Sequence, residues 1–185
     1  MQAIRQFFAP RAAVEAGRRL YVAASAHARQ PALYLAGGVA DTPEGRFELY
    51  TLHVVLVLHR LKGQGSQAAE VAQALFDAYV KNLDHGLREM GVGDLSVGKK
   101  MRKLGEAFYG RAKAYDEALA RLPDAGPLRA LIDRTVLEGR GGADSGGLTA
   151  YVMRAAAALG AQPLDEVLGA QLNWPNFEEP HEPQA

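Results

Sequence analysis

Apolar residues recur at helical spacing along most of the chain, and this periodicity constrains the fold more than any other feature. The clearest stripe opens at Asp94 and repeats every three, four or seven residues, the period of an α-helix with one buried face. Its members are Val97, Met101, Leu104, Phe108, Tyr115, Leu119 and Leu122. A second stripe, Val71 to Leu83, follows a predicted N-cap at Ser66. No βαβ rhythm and no internal repeat accompany the stripes, so the sequence predicts an all-α fold.

The remaining segments complete a bundle. Asp41 or Thr42 caps a helix that has Pro43 in its first turn. The interior of this helix, residues 52–58, is apolar on nearly every side, so a buried strand is the alternative. We favour a helix because the apolar character extends back to Phe47. Further helices are predicted over residues 11–27, 127–138, 148–159 and 164–172, with irregular segments at 32–40 and 139–147. The predicted fold is a single compact helical bundle of about six to seven helices with irregular connections.

The length of 185 residues fits one domain. We predict an N-terminal extension over residues 1–10, a helical domain over 11–173 and a loose C-terminal tail over 174–185. The tail prediction follows from its prolines and acidic residues.

Composition excludes several kinds of site and partner. The chain has no cysteine, which rules out disulfides and thiolate metal sites. Its 21 basic and 21 acidic residues give a formal net charge of zero, so no overall attraction to DNA is expected. No run of about 18 apolar residues occurs, and we predict no membrane-spanning helix. These features favour a cytoplasmic protein.

Fragments of three catalytic or metal motifs each have a simpler explanation. Residues 93–100 nearly match a phosphate-binding loop, but a lysine stands where magnesium needs a hydroxyl. Residues 143–147 resemble the nucleophile segment of serine proteases, which needs a distant His–Asp pair, and their glycines favour a loop. His85 and Glu89 lie one helical turn apart without an evident third ligand. We therefore predict no catalytic residue, no cofactor and no metal.

Four cations stand close together at the start of the long helix: Lys99, Lys100, Arg102 and Lys103. Cations in the first turns of a helix oppose its dipole, whereas helix-start amides combined with lysines make an anion-binding surface. A solvated charged face is the alternative, and the sequence leaves both open.

Several short segments, in order along the chain, match one known pattern. They are Gly38-Val39-Ala40-Asp41-Thr42, Gly45-Arg46-Phe47-Glu48-Leu49, Leu52-His53, residues 87–94 (LREMGVGD), residues 97–101 (VGKKM) and residues 108–111 (FYGR). Together they resemble the ubiquinol–cytochrome c chaperone family. The resemblance covers residues 12–159 and is densest over 31–122. Ala40 stands where the family pattern has proline, which loosens the loop slightly.

The resemblance implies a helical, non-enzymatic chaperone that assembles the ubiquinol–cytochrome c reductase complex. Mitochondrial relatives bind newly made cytochrome b, act with a small helical partner protein and associate with the ribosome near its exit tunnel. The chain shows no mitochondrial targeting segment, so we expect a bacterial member that is cytoplasmic, with peripheral contact at the inner membrane left open.

A chaperone for an apolar client needs exposed apolar surface. We hypothesise that the segment Asp41 to Arg46 and the start of the long helix flank that surface, with Tyr109 and Arg111 near it. The residues assigned to partner binding are Asp41, Thr42, Arg46, Glu89, Lys99, Lys100, Arg102, Lys103, Tyr109 and Arg111. The basic run would contact ribosomal RNA, anionic lipid or an acidic partner.

Two other functions remain as alternatives. The first is a membrane-surface or ribosome-associated binding protein without a cytochrome b client. The second, less favoured, is an enzyme that uses Gly98 and Lys99 on a phosphate ligand.

Overall fold

The computed structural model describes residues 2–138 and 145–177, with side chains from residue 11 onward, and eight α-helices lie within them. The helices are α1 (Gln2–His27), α2 (Pro31–Leu35), α3 (Pro43–Leu61), α4 (Ser66–Glu89), α5 (Asp94–Leu119), α6 (Gly126–Thr135), α7 (Ser145–Ala161) and α8 (Leu164–Leu168). The described residues contain no strand. The all-α prediction is therefore confirmed.

Helix α3 is the centre of the bundle and contacts α1, α4, α5 and α7. Its start is capped as predicted, because the Thr42 hydroxyl oxygen accepts a hydrogen bond of 3.1 Å from the Gly45 amide. The valine-rich interior is helical and buried on every side from Val54 to Val57, so the strand alternative was wrong. A helix that is apolar all round must lie inside a protein, and α1, α4, α5 and α7 pack around this one.

Three local predictions need correction. Residues 32–40 were expected to be irregular, but α2 (Pro31–Leu35) covers the start of that segment. Pro31 occupies the first turn of this helix, a position where its missing amide costs nothing. This short helix brings the number of helices in the described residues to eight, whereas six to seven were expected. Ser66 was expected to cap α4, whereas Gly65 is the N-cap and makes no side-chain cap bond. The predicted glycine loop also ends earlier than expected, because α7 begins at Ser145, and residues 139–144 lie outside the described part.

Helices α3, α4 and α5 form consecutive antiparallel hairpins. Thr51 in α3 and Tyr79 in α4 share a hydrogen bond of 2.7 Å, and a short turn joins these helices at Gly63, whose φ is 74°. The rings of Phe76 in α4 and Phe108 in α5 lie 5.0 Å apart. The start of α3, the end of α4 and the start of α5 therefore lie toward the same end of the protein.

Helix α1 packs against α4, and the backbones of the two helices come close together at Gly17. A Cβ atom on Gly17 would lie 2.5 Å from backbone atoms of Ala74 and Leu75. Only a residue without a side chain permits this contact.

The domain boundaries at residues 10 and 173 stay predictions. The structure shows that α1 begins at Gln2 and that packing continues beyond 173. Trp174 lies against the core, and Phe177 is part of it.

Candidate functional site

An apolar groove of about 470 Å³ lies between the end of α3, the start of α4 and the second half of α5. It is open to solvent along one side. Its apolar lining includes Val55, Leu58, Ala72, Phe76, Phe108 and Tyr109. A groove of this volume is within the range of ligand pockets, roughly 300–1,000 Å³, and its lining suits aliphatic or aromatic side chains of another chain.

Aromatic side chains build the groove where α4 and α5 meet. The ring of Phe76 lies 5.6 Å from the ring of Tyr109, and Phe108 packs beneath them at 5.0 Å from Tyr79. Tyr109 remains 63% exposed. A large aromatic ring left open beside an apolar surface is typical of a contact site for another molecule.

A charged rim closes one end of the groove. The Asp116 carboxylate accepts hydrogen bonds from Lys62 Nζ at 2.6 Å and His59 Nδ1 at 2.7 Å. Partial burial raises the pKa of Asp116, but the hydrogen bonds from Lys62 and His59 outweigh it and hold the pKa below its ordinary value. The groove thus combines an apolar floor with a fixed ionic rim.

Arg111 does not face this groove; it locks α5 onto α3. Its guanidinium donates to both carboxylate oxygens of Glu48, at 2.8 Å and 3.0 Å. Glu48 is a buried residue of α3. The hydrogen bonds to Glu48 raise the pKa of Arg111 further, and the pair is a structural link.

The predicted residues at the start of α3 are separate from the groove. Asp41 and Arg46 form an exposed ion pair at 2.7 Å, and Thr42 is occupied as the helix cap. Because the groove lies at the other end of α3, these residues do not flank it.

The predicted residues of the α4–α5 turn are exposed near the same end as Asp41. Glu89 pairs with His85 at 3.2 Å. The side chains of Lys99, Lys100, Arg102 and Lys103 all lie on the surface. The structure thus places the ten predicted residues in three locations. Tyr109 lines the groove, and eight residues lie at the end of the protein where α3 and α5 begin. Arg111 lies between these two regions, bound to Glu48. Their roles in binding stay predictions.

A buried histidine cluster was missed by sequence reasoning. His53 lies in α3 without solvent exposure, donates from Nδ1 to the Leu49 carbonyl and accepts at Nε2 from the Tyr151 hydroxyl, both at 2.7 Å. His27 stacks on Trp174 with ring centroids 5.1 Å apart. His53 and Tyr151 are far apart in sequence, and no spacing rule would have joined them.

Burial sets the charge of this cluster. It lowers the pKa of His53 from 6.5 to about 3 and that of His27 from 6.5 to about 4. Both rings are therefore neutral in the folded protein near neutral pH, and they hold the C-terminal segment against α1 and α3.

The histidine cluster predicts a loss of stability in mild acid. Unfolded histidines take up protons below about pH 6.5 while the folded ones stay neutral, so stability is full above that pH and declines as the pH falls toward 4. For His53 the slope is on the order of 1 kcal/mol per pH unit. Urea denaturation at a series of pH values between about 7 and 5 measures it.

One variant tests the role of His53 in this pH dependence, and a second variant is its control. His53→Phe removes a titrating group, and we expect a flatter pH dependence than in the wild type. Asn82→Gln changes an exposed, uncharged residue of α4 and should keep the wild-type slope. Equal slopes in the His53→Phe variant and the wild type would contradict this explanation.

The structure does not support the alternative of an enzyme that uses Gly98 and Lys99 on a phosphate ligand. Gly98 and Lys99 lie inside α5, where backbone amides bond within the helix and form no phosphate-binding loop. Within the described residues, no three His, Asp or Glu side chains come together as a metal site. No helix in residues 2–138 or 145–177 has both the length and the apolar character needed to cross a membrane.

Comparisons with known proteins agree with the helical architecture. A family model described as "Ubiquinol-cytochrome C chaperone" matches residues 35–174. The crystal structure of a Cbp3 homolog from Brucella abortus is similar, with a TM-score of 0.81 and 34% sequence identity. That match covers 95% of this chain and 96% of the other. No curated protein matches the sequence.

Proposed function

Because the chain belongs to the ubiquinol–cytochrome c chaperone family, we propose that it is a non-enzymatic chaperone that holds newly made cytochrome b in the groove between α3, α4 and α5. Newly made cytochrome b is an apolar chain with charged loops. Holding it requires apolar surface and no bond-making side chain.

The open apolar groove is the observation that supports this function. Its lining would cover apolar side chains of the client, and burial of apolar area supplies a driving force of roughly 25 cal/mol per Å². The ion pair of Asp116 and Lys62, with His59 hydrogen-bonded beside it, would meet a polar loop next to the client segment. Tyr109 supplies an exposed aromatic ring, a type of residue enriched where binding energy concentrates.

Aromatic side chains join α4 to α5 beside the groove, and small side chains leave the groove open. Phe76 and Phe108 fix the two helices together, whereas Ala69, Ala72 and Ala112 are small and leave the space beside them unfilled. A rigid floor with an open side holds a client without a large rearrangement of the chaperone.

A second candidate function is peripheral attachment at the inner membrane or at the ribosome. The cations at the start of α5, which form no ion pair with any described residue, favour it, and it does not compete with the groove for the same residues. A cytoplasmic chaperone of a membrane protein would use both surfaces, one for the client and one for the place where the client is made.

The variant Tyr109→Glu tests the groove in cells. In a strain that lacks the chromosomal gene, wild-type protein should restore cytochrome b, and the variant should leave it several-fold lower, because a carboxylate beside the apolar lining is costly to bury under a client. The measurement is the cytochrome b level by immunoblot and by the absorbance of its haem, with the messenger RNA quantified in parallel.

Leu35→Glu is the matched control, because Leu35 is an apolar residue of α2 with 85% exposure outside the groove. It should support cytochrome b as well as the wild type does. Equal cytochrome b levels with Tyr109→Glu and wild type, at equal chaperone abundance, would show that the groove is not the binding site. Normal cytochrome b levels in the strain without the gene would show that cytochrome b is not the client.

A further inference from the structure

We propose that the tip of the α4–α5 hairpin, comprising Met90, Leu95, Lys99, Arg102 and Lys103, docks onto a bilayer that contains anionic lipid. This inference rests on the second candidate function, attachment at the inner membrane, and names its surface and lipid. It does not depend on the binding of cytochrome b, because the surface lies away from the groove and can be tested on purified protein with no client.

Apolar side chains project from this tip into solvent. Leu95 has a relative exposure of 102%, and Met90 is 60% exposed. Both side chains are apolar, and most of each is open to solvent. Side chains of this kind insert into the boundary between lipid headgroups and acyl chains.

The cations of α5 share the outward face with Leu95. At about 100° per residue, Leu95, Lys99 and Arg102 fall within an arc of about 60° on the helix, and Lys103 lies beside them. The buried residues Val97 and Phe108 lie on the opposite face. The helix thus presents one leucine and three cations together toward solvent.

Nearby acidic groups leave these cations uncompensated. Asp94 is held by Arg88, which also binds Asp84 at 2.8 Å, and Glu89 pairs with His85. Lys99, Arg102 and Lys103 form no ion pair within the described residues. Glu106 is the exposed acid that ends the basic face. Over residues 94–105, four cations stand against one carboxylate, giving a net charge of +3.

The placement of the cations points to a partner rather than to stability. Positive charges in the first turns of a helix oppose its dipole, and here they gain no intramolecular partner. An anionic surface would supply one, because juxtamembrane lysines and arginines are attracted to negatively charged leaflets.

The hairpin has the reach that docking needs. Its last aromatic contact with the core is at Phe108, and Asp94 lies about 21 Å farther along α5 at 1.5 Å per residue. Helix α3 begins within that length, so the turn at Gly91 stands at the extremity of this end of the protein.

Lipid fits this surface better than RNA does. Proteins that bind single-stranded RNA stack its bases on aromatic side chains, and residues 86–106 contain no aromatic residue. Aliphatic residues interspersed with lysine and arginine are instead typical of segments that lie on membranes.

The test measures binding of the purified full chain to sedimented vesicles at low salt. The wild type should bind vesicles of phosphatidylcholine mixed with phosphatidylglycerol and should not bind vesicles of phosphatidylcholine alone. The triple variant Lys99→Gln, Arg102→Gln, Lys103→Gln should bind anionic vesicles at least tenfold more weakly. Leu95→Ser should weaken binding several-fold even with every cation present.

The matched control removes three exposed cations elsewhere: Lys81→Gln, Lys113→Gln, Arg121→Gln. It should bind anionic vesicles nearly as well as the wild type, which separates the tip from net charge. Circular dichroism confirms that all variants are folded. Equal weakening in both triple variants, no lipid preference in the wild type, or loss of ribosomal RNA binding in the tip variant without loss of vesicle binding would each overturn the proposal.

Discussion

Replacing Arg111 by alanine is expected to lower the free energy of unfolding by about 3–5 kcal/mol, the usual result of breaking a buried ion pair. The side chain of Glu48 is only 10% exposed, and both of its oxygens bond to Arg111. Without the guanidinium, the Glu48 carboxylate would remain buried between α3 and α5 without its cation. Urea denaturation of the purified variant measures the loss.

Two further variants distinguish pairing from packing. Glu48→Leu combined with Arg111→Met removes both charges and should recover most of the stability, because a well-packed apolar pair often matches a buried ion pair. Arg46→Ala breaks the exposed pair with Asp41 and should change stability little, since solvent screens it. A double variant no more stable than Arg111→Ala alone would contradict this account.

Replacing Gly17 by alanine is expected to destabilise the protein by roughly 1–3 kcal/mol or more, through overpacking against α4. The new Cβ would lie 2.5 Å from the backbone of Ala74 and Leu75, so α1 would have to move away. The same exchange at Gly110 adds a Cβ that meets no atom within 4 Å. There the higher helix propensity of alanine should raise stability by up to about 1 kcal/mol.

This pair of variants has opposite expected signs for one chemical change. Thermal unfolding followed by circular dichroism gives both values. If Gly17→Ala stabilised the protein as Gly110→Ala should, the close contact between α1 and α4 would be wrong.

Local chemistry in the sequence predicted most of the helices. The stripe from Val97 to Leu119 became α5, and Thr42 caps α3, because periodicity and capping depend on neighbouring residues alone. Two errors also had local causes. Residues 32–40 were interpreted as irregular although α2 begins at Pro31, which occupies its first turn, and Ser66 was taken as a cap one residue too late.

The candidate site was harder to predict because its parts come from distant segments. The groove joins residues of three helices, such as Val55, Ala72 and Tyr109, and its existence depends on how far the helices stand apart. Only Tyr109 was singled out from the sequence. The partner of Arg111, Glu48, lay within a matched segment, yet the spacing of the two residues gave no sign of their contact.

The glycines also show that the sequence does not reveal contacts between distant segments. Gly105 and Gly110 interrupt the apolar pattern of α5 in the sequence, but a Cβ atom added at either would face open space. Gly17 sits unremarked among alanines and is where two helices meet. A glycine's importance depends on what lies opposite it, which the sequence does not state.

Site-specific crosslinking in cells tests the central claim most directly. A photoreactive phenylalanine analogue placed at Tyr109 lies at the edge of the groove, and the same analogue at Leu35 lies outside it. After a short labelling pulse, illumination should join newly made cytochrome b to the protein carrying the analogue at Tyr109 and not to the one carrying it at Leu35. Absence of a cytochrome b adduct at Tyr109, or equal adducts at both positions, would contradict the account.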